Sequence, residues 1–283
     1  MVRRKILLYA LLVLTAAGMI IMAGTAFGDA KWPQSSESGE KTSSKLKVDV
    51  GNASEGYFMA AVTSKSKHKM KLRVEKDGTT LTYDLNISGT YEVFPFQLGS
   101  GSYELSLWEN VSGKKYSAAG KIKVNVKLKR EDGAFLYPNQ YVNYRKNDQV
   151  VGMSLKVCRD KEGKEAYTAI KQYIVENFRY DYIKAATIQP SELPDIESCF
   201  SSKSGVCQDL SAVMVSMLRV QGIPARLVIG YADKIYHAWV VTEVEGKKYC
   251  LIRSRCKSYE KRVKLFRRAL LLTGGNNDAQ EES

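Results

Sequence analysis

The sequence contains few of the residues that bind metal ions. Its 283 residues include 2 histidines and 5 cysteines. The histidines, His68 and His237, fall in different predicted domains, and no two cysteines have the short spacing of a zinc site. We therefore expect no bound metal. A glycine-rich phosphate loop is also lacking, so the sequence does not indicate a nucleotide ligand.

Acidic residues are outnumbered by basic ones. Lys and Arg number 43 against 30 Asp and Glu, which gives a formal net charge of +13. Residues 253–268 hold eight Lys or Arg and a single acid, Glu260, on a predicted amphipathic helix. This helix favours attraction to anionic envelope polymers or a membrane surface, with an ordinary solvated face as the alternative. We expect no nucleic-acid partner, because the chain is predicted to be exported.

The N-terminus predicts export. Arg3, Arg4 and Lys5 precede an uncharged, mostly apolar run over residues 6–28, with small residues that permit cleavage near Ala26 and Gly28. The run is also nearly long enough to span a bilayer. We therefore predict a signal peptide or signal anchor over residues 1–30. In either case the protein is expected to be secreted or membrane-anchored, with its folded part outside the cytoplasm.

The first half of the chain predicts a β module. Residues 31–45 are polar and rich in serine, which is typical of a flexible linker. Residues 46–130 show period-two alternation, with turn signals such as Asp77-Gly78 and Ser112-Gly113. Five to seven strands in this span indicate a small antiparallel β-sandwich with a structural or binding role.

The second half, residues 131–272, has helical periodicity followed by a strand hairpin, and residues 273–283 predict a disordered tail. One helix begins at Cys207 and ends before Gly222. Apolar residues at helical spacing predict two buried stripes. These are Ala166, Ile170, Ile174 and Phe178 on one helix, and Leu210, Val213, Met214, Met217 and Leu218 on the other.

The spacing allows Cys207 and His237 to meet. The helix carries the chain about 21 Å forward, and the strand "ARLVIGY" brings it about 20 Å back. A cysteine at a helix N-terminus next to an imidazole is expected to have a lowered pKa and to act as a nucleophile with a general base. The unpaired N–H groups of the helix start are candidates for an oxyanion hole. The alternative is that both residues serve only in packing.

Cysteine pairing remains open at this stage. An odd number of cysteines leaves at least one thiol free or paired between chains, and we predict that Cys207 is the free one. A Cys250–Cys256 disulfide is possible in an exported protein, and so is a Cys199–Cys207 disulfide that blocks the nucleophile.

The sequence segments "GVCQDLSAVMVSMLRVQGIPARLVIGY" and "YHAW" closely resemble the bacterial transglutaminase-like domain. The resemblance covers roughly residues 135–255. It implies an α+β fold with a papain-like core, in which a cysteine-bearing helix packs on an antiparallel sheet behind the β module. It also implies Cys207 as nucleophile, His237 as base, action on amide or peptide bonds, and no cofactor.

One position departs from the family pattern. The third family residue is an Asp after the His-Ala-Trp hairpin, and the matching position is Ile252 or Arg253. Glu243 and Glu260 are candidate substitutes. We therefore expect an exported enzyme that acts on an envelope protein or peptide through a Cys207–His237 dyad. The alternative is an inactive, envelope-binding protein that keeps the fold.

Overall fold

A computed structural model describes residues 30–251, except residues 37, 190, 233 and 234. The predicted signal up to residue 29, the basic helix, the tail, Cys256, Glu260 and the positions of Ile252 and Arg253 lie outside this range. Within it, no helix has the length and apolarity needed to cross a membrane.

The first half folds into two four-stranded antiparallel sheets, in the orders β1-β2-β3-β6 and β5-β4-β7-β8. The strands are β1 (Glu40–Ser43), β2 (Leu46–Asp49), β3 (Tyr57–Val62), β4 (Met70–Lys76), β5 (Thr79–Leu85), β6 (Glu92–Pro95), β7 (Gly101–Ser112) and β8 (Lys115–Val126).

Alternating apolar side chains of both sheets form one common core. Phe58 of β3 and Phe94 of β6 pack against the layer that Leu72 of β4 supplies from the opposite sheet. Asp77 and Gly78 both have positive φ, as the tight turn between β4 and β5 requires. The predicted antiparallel sandwich is confirmed, with the strands β2 to β8 inside the predicted span of residues 46–130 and β1 just before it.

The segment expected to be a flexible linker is instead packed against the folded chain. Trp32 contacts Tyr144 edge to face, with ring centroids 5.7 Å apart, and the backbone N–H of Ser36 donates to the carboxylate of Asp49. Strand β1 also lies within this segment and pairs with β2. The serine-rich composition suggested flexibility, but a partly buried aromatic anchor and strand pairing outweigh it.

The second half combines five helices with short strands. The helices are α1 (Gln149–Val157), α2 (Gly163–Asn177), α3 (Tyr182–Thr187), α4 (Ile196–Ser202) and α5 (Cys207–Val220). The strands are β9 (Arg179–Tyr180), β10 (Ser204–Gly205), β11 (Ala225–Ala232), β12 (Ile235–Val244) and β13 (Lys247–Leu251). Strands β11, β12 and β13 form an antiparallel sheet, and β9 and β10 form a two-residue parallel pair.

Helix α5 is the centre of this half. Its predicted apolar stripe is buried against β11 and β12, and the predicted stripe of α2 is buried in the same core. Gly222 has a positive φ of 68° just after the helix, and Glu245 and Gly246 form the positive-φ turn between β12 and β13. The predicted α+β class, with a cysteine-bearing helix on an antiparallel sheet, is confirmed.

A buried arginine anchors the C-terminal end of α5 through hydrogen bonds. Arg219 is 2% exposed and donates from two nitrogens to the carbonyl of Ala225, at 3.0 and 2.9 Å. A third nitrogen donates to the carbonyl of Tyr137, in the segment that follows the sandwich. Burial lowers the pKa of Arg219 to about 10. This network fixes α5 relative to β11 and the connecting segment.

Candidate active site

Cys207 is the first residue of α5, and its thiol is free and partly exposed. The preceding residue, Val206, has extended backbone angles, so the chain turns abruptly into the helix at the cysteine. Backbone N–H groups in the first turn of a helix have no partner four residues earlier. The sulfur therefore lies where unpaired peptide dipoles favour negative charge.

The glycine two residues before the cysteine is required by packing. A Cβ at Gly205 would lie 2.7 Å from Sγ of Cys199 and 2.8 Å from Cβ of Asp209. Distances this short are not tolerated between unbonded atoms, and the Asp209 atom cannot move without shifting α5. Gly205 is thus the residue that lets β10 run directly beside the start of the helix.

Strand β12 brings the residue next to His237 to the cysteine. The backbone of Ala238 lies close enough to the Cys207 thiol to favour its thiolate form and so to lower its pKa, as does the backbone of Gln208. His237 directly precedes Ala238, is 8% exposed, and lies opposite Gly230 in the β11–β12 ladder. The strand thus returns the chain to the start of α5, as the helix and strand lengths predicted.

The pKa values of the two residues favour neutral forms. Burial raises the pKa of the Cys207 thiol; the backbone of Ala238 and Gln208 opposes this shift, and the Asp209 carboxylate adds to it. Burial lowers the pKa of His237. The expected lowering of the thiol pKa is therefore not found, because removing the sulfur from water outweighs the helix start and the nearby backbone.

The sequence reasoning missed Asp209, which organises the surroundings of the nucleophile. Its carboxylate is fully buried and accepts from the backbone N–H of Val206 at 3.0 Å and of Asp195 at 3.2 Å. Lys184 adds an ion pair at 2.9 Å. An Asp at the third position of a helix, next to a cysteine at its first, was the available sequence signal.

The Lys184–Asp209 pair links α3 to the start of α5. Burial on its own would lower the pKa of Lys184, but the hydrogen bond and charge of Asp209 outweigh it and the pKa is raised. Lys184 also lies 3.9 Å from Glu192. Its positive charge is therefore compensated within the protein and is not available to a substrate.

The structure excludes a Cys199–Cys207 disulfide and excludes Glu243 as the acid that orients His237. Cys207 has a free thiol, so no disulfide joins it to Cys199. Glu243 lies six residues beyond His237 on the same strand, about 20 Å away at strand rise, and its side chain is exposed. Glu243 therefore cannot orient the imidazole. No group of His, Cys, Asp and Glu suited to a metal occurs among the described residues.

Comparison with protein-family models finds the same family that the sequence motifs resemble. Residues 154–252 match the model of the transglutaminase-like superfamily. The chain carries a transglutaminase-like domain. The match includes α5 and the β11–β12 hairpin, and so it contains both Cys207 and His237.

Two curated relatives share this transglutaminase-like region. The uncharacterized protein ML0607 of Mycobacterium leprae is 29% identical over 109 residues, which is 38% of this chain and 37% of that protein. The uncharacterized protein YebA of Bacillus subtilis is 27% identical over 116 residues, covering 39% and 16%. The chain thus matches well under half the length of either relative.

Solved structures that align with much of the chain share little sequence with it. A candidate cysteine protease from Cytophaga hutchinsonii is 15% identical, covers 75% of this chain and 76% of that one, and gives a TM-score of 0.37. The periplasmic domain of TgpA from Pseudomonas aeruginosa, bound to ethylmercury, is 15% identical, covers 69% and 70%, and gives 0.33.

Proposed function

We propose that the transglutaminase-like domain is a cysteine enzyme that acts on amide or peptide bonds. Cys207 is the nucleophile and His237 the general base. The observation that carries the proposal is the packing of β12 against α5, which brings the backbone of Ala238, the neighbour of His237, beside the Cys207 thiol. A cysteine at a helix start beside a histidine-bearing strand is the arrangement that acyl transfer needs.

The proposed reaction starts from the neutral pair. His237 takes the thiol proton as Sγ of Cys207 attacks the carbonyl carbon of the substrate, and the carbonyl oxygen gains negative charge. The N–H groups at the start of α5 are suited to stabilise that oxygen. The C–N bond then breaks, the leaving amine takes the proton from the imidazole, and an acyl-thioester remains. Water or a second amine releases the acyl group.

A Cys–His dyad that lacks the third family residue, an Asp, is chemically sufficient for the proposed reaction. An orienting carboxylate increases the rate of serine and cysteine enzymes but is not the reacting group. A thiol is easier to deprotonate than a hydroxyl, so the imidazole needs less assistance. Because His237 is buried and its pKa is lowered, it is neutral at neutral pH and ready to accept a proton.

The experiment compares wild type, Cys207→Ala, His237→Ala and the control His68→Ala, whose exposed histidine lies in the sandwich. Denatured casein is incubated with each protein. Peptide release, ammonia release and incorporation of a fluorescent primary amine are measured in parallel to separate hydrolysis, deamidation and cross-linking. We expect Cys207→Ala to fall to background and His68→Ala to match wild type. Unchanged turnover in Cys207→Ala would refute the proposal.

We further propose that the enzyme works outside the cytoplasm. The proposal rests on the basic residues that precede the apolar run of residues 6–28. Mass spectrometry of the protein from separated cell fractions tests it. We expect the chain in the envelope or medium, with or without its first 30 or so residues. Recovery from the cytoplasm alone would contradict the proposal.

A further inference from the structure

Exposed apolar side chains are concentrated around Cys207. Of the eight large apolar side chains that are exposed in the described part of the chain, five lie on segments that contact α5: α3 and the loop after it, which bond to Asp209 and Gln208, and the β11–β12 hairpin. They are Tyr182 at 80%, Ile183 at 82%, Leu193 at 37%, Tyr231 at 66% and Tyr236 at 56% exposed. The remaining three are Ile87, Val111 and Val175. Single exposed apolar residues are ordinary, but a group around one thiol is not.

The first part of this group lies beside β10. Tyr180 is opposite Gly205 in the β9–β10 pair, and the N–H of Asp181 donates to the Gly205 carbonyl at 3.0 Å. Tyr182 packs edge to face on Tyr180, with ring centroids 5.0 Å apart. Burial raises the pKa of Tyr180, and the nearby Cys207 raises it further. Tyr180, Tyr182 and Ile183 are called the α3 wall below.

The second part lies on the β11–β12 hairpin. Tyr231 and Tyr236 face each other in the ladder, and their ring centroids are 5.4 Å apart. Burial raises the pKa of Tyr236, with contributions from Tyr231 and from Cys207. Tyr236 directly precedes His237 in the chain. Tyr231 and Tyr236 are called the hairpin wall.

The charged residue of α3 is paired within the protein. That residue, Lys184, is partly exposed and forms a 2.9 Å ion pair with the buried Asp209. The tyrosine rings expose broad apolar faces with a hydroxyl at one end. Such side chains supply large contact area at low conformational cost.

We propose that the α3 wall and the hairpin wall bind large apolar side chains on either side of the amide that Cys207 attacks. The substrate class is therefore a peptide or unfolded protein segment with aromatic or aliphatic residues flanking the reacting amide. This inference rests on the proposed function for its reaction. A peptide is favoured over other occupants because the walls lie around the nucleophile, so whatever fills them presents its own groups to the thiol.

Binding is tested in the full chain with Cys207→Ala, which holds a substrate without turning it over. The probes are two fluorescein-labelled hexapeptides with a central glutamine, flanked in one by leucine and phenylalanine and in the other by serines. Fluorescence anisotropy gives both dissociation constants. We expect the apolar peptide to bind about tenfold more tightly, because each wall buries an apolar side chain.

Wall variants are made in the same background. Tyr182→Ser and Tyr236→Ser are each expected to reduce the preference about threefold, and together to abolish it. Val175→Ser removes an equally apolar, 54% exposed side chain from α2 and should leave the preference intact. Near-ultraviolet circular dichroism checks that each variant is folded. Equal binding of the two peptides, or a preference that survives the double variant, overturns the inference.

Other occupants are separated by two further measurements. Sedimentation velocity detects pairing of two copies, and co-sedimentation with phosphatidylglycerol vesicles detects lipid binding. If Tyr182→Ser with Tyr236→Ser abolishes either one while the peptides show no preference, the walls serve that partner and the inference is wrong. Failure of the proposed function is distinct, because it appears as amide turnover that persists in Cys207→Ala whatever the peptide affinities.

Discussion

The sandwich and the transglutaminase-like half differ in the charged and polar groups that they bury. In the described part of the sandwich the buried charged residue is Asp49, whose carboxylate accepts from the backbone N–H groups of Ser36 and Gly51, and ion pairs such as Lys71–Asp84 lie at the surface. The second half buries Asp209, Arg219 and His237. Buried charge is costly and is retained where it positions something. The comparison indicates that the sandwich is built for stability and the second half for a site.

The same contrast holds for exposed apolar groups. In the sandwich the exposed large apolar residues are Ile87 and Val111, on separate elements, whereas all those of the second half except Val175 lie on segments that contact α5. A fold under selection for solubility alone would not expose Tyr182 and Ile183 side by side. Asp209 and His237 share the start of α5 with these exposed side chains, whereas Arg219 lies at the far end of the helix.

Breaking the Lys184–Asp209 ion pair should have the largest effect on the free energy of unfolding. Asp209→Ala leaves Lys184 and two backbone N–H groups without their acceptor, so we expect a loss of about 3–5 kcal/mol in the free energy of unfolding. The matched sandwich variant, Lys71→Ala, breaks a 2.8 Å pair that is partly exposed. It should cost no more than about 1 kcal/mol. Urea denaturation followed by tryptophan fluorescence measures both, and equal costs would contradict the comparison.

Filling the space at Gly205 should have an intermediate effect. Gly205→Ala puts a Cβ within 2.7 Å of Cys199 and 2.8 Å of Asp209, so we expect about 1–3 kcal/mol of destabilisation and slower alkylation of Cys207. Gly152→Ala is the control, because Gly152 lies in α1 with open space around it. That variant should be neutral or gain up to about 1 kcal/mol. A neutral Gly205→Ala would refute the packing argument.

The pH dependence of thiol reactivity should show the smallest effect. Since burial raises the pKa of Cys207, its thiolate fraction grows only as pH rises above the ordinary thiol value of 9.0. Iodoacetamide alkylation of Cys207, located by mass spectrometry, should therefore accelerate above that pH. Burial raises the pKa of Cys158 to about 11, so that thiol should react more slowly still.

Two variants sharpen this last test. His68→Ala changes an exposed histidine of the sandwich and should leave the alkylation profile of Cys207 unchanged. His237→Ala removes the proposed base but should not move the midpoint to higher pH if the resting pair is neutral. A wild-type midpoint well below about 8.5, lost in His237→Ala, would instead reveal a preformed thiolate–imidazolium pair.

Local pattern was sufficient for much of the fold. Helical spacing identified the stripe of α5, and turn chemistry identified Asp77-Gly78, because these features depend on neighbouring residues only. The packing of Trp32 was not predicted from the sequence, because its partner Tyr144 is distant along the chain. Asp209 was missed for the same reason, since its importance comes from Lys184 and Asp195 on other segments.

The sequence alone determined the family resemblance, the start of α5 at Cys207 and the return of the chain to His237, since helix and strand lengths fix how far each segment travels. Only the tertiary structure decided how deeply those residues are buried. Burial sets the direction of the Cys207 and His237 pKa values. It also decided which tyrosines stay exposed around the thiol, because solvent access depends on every segment that packs nearby.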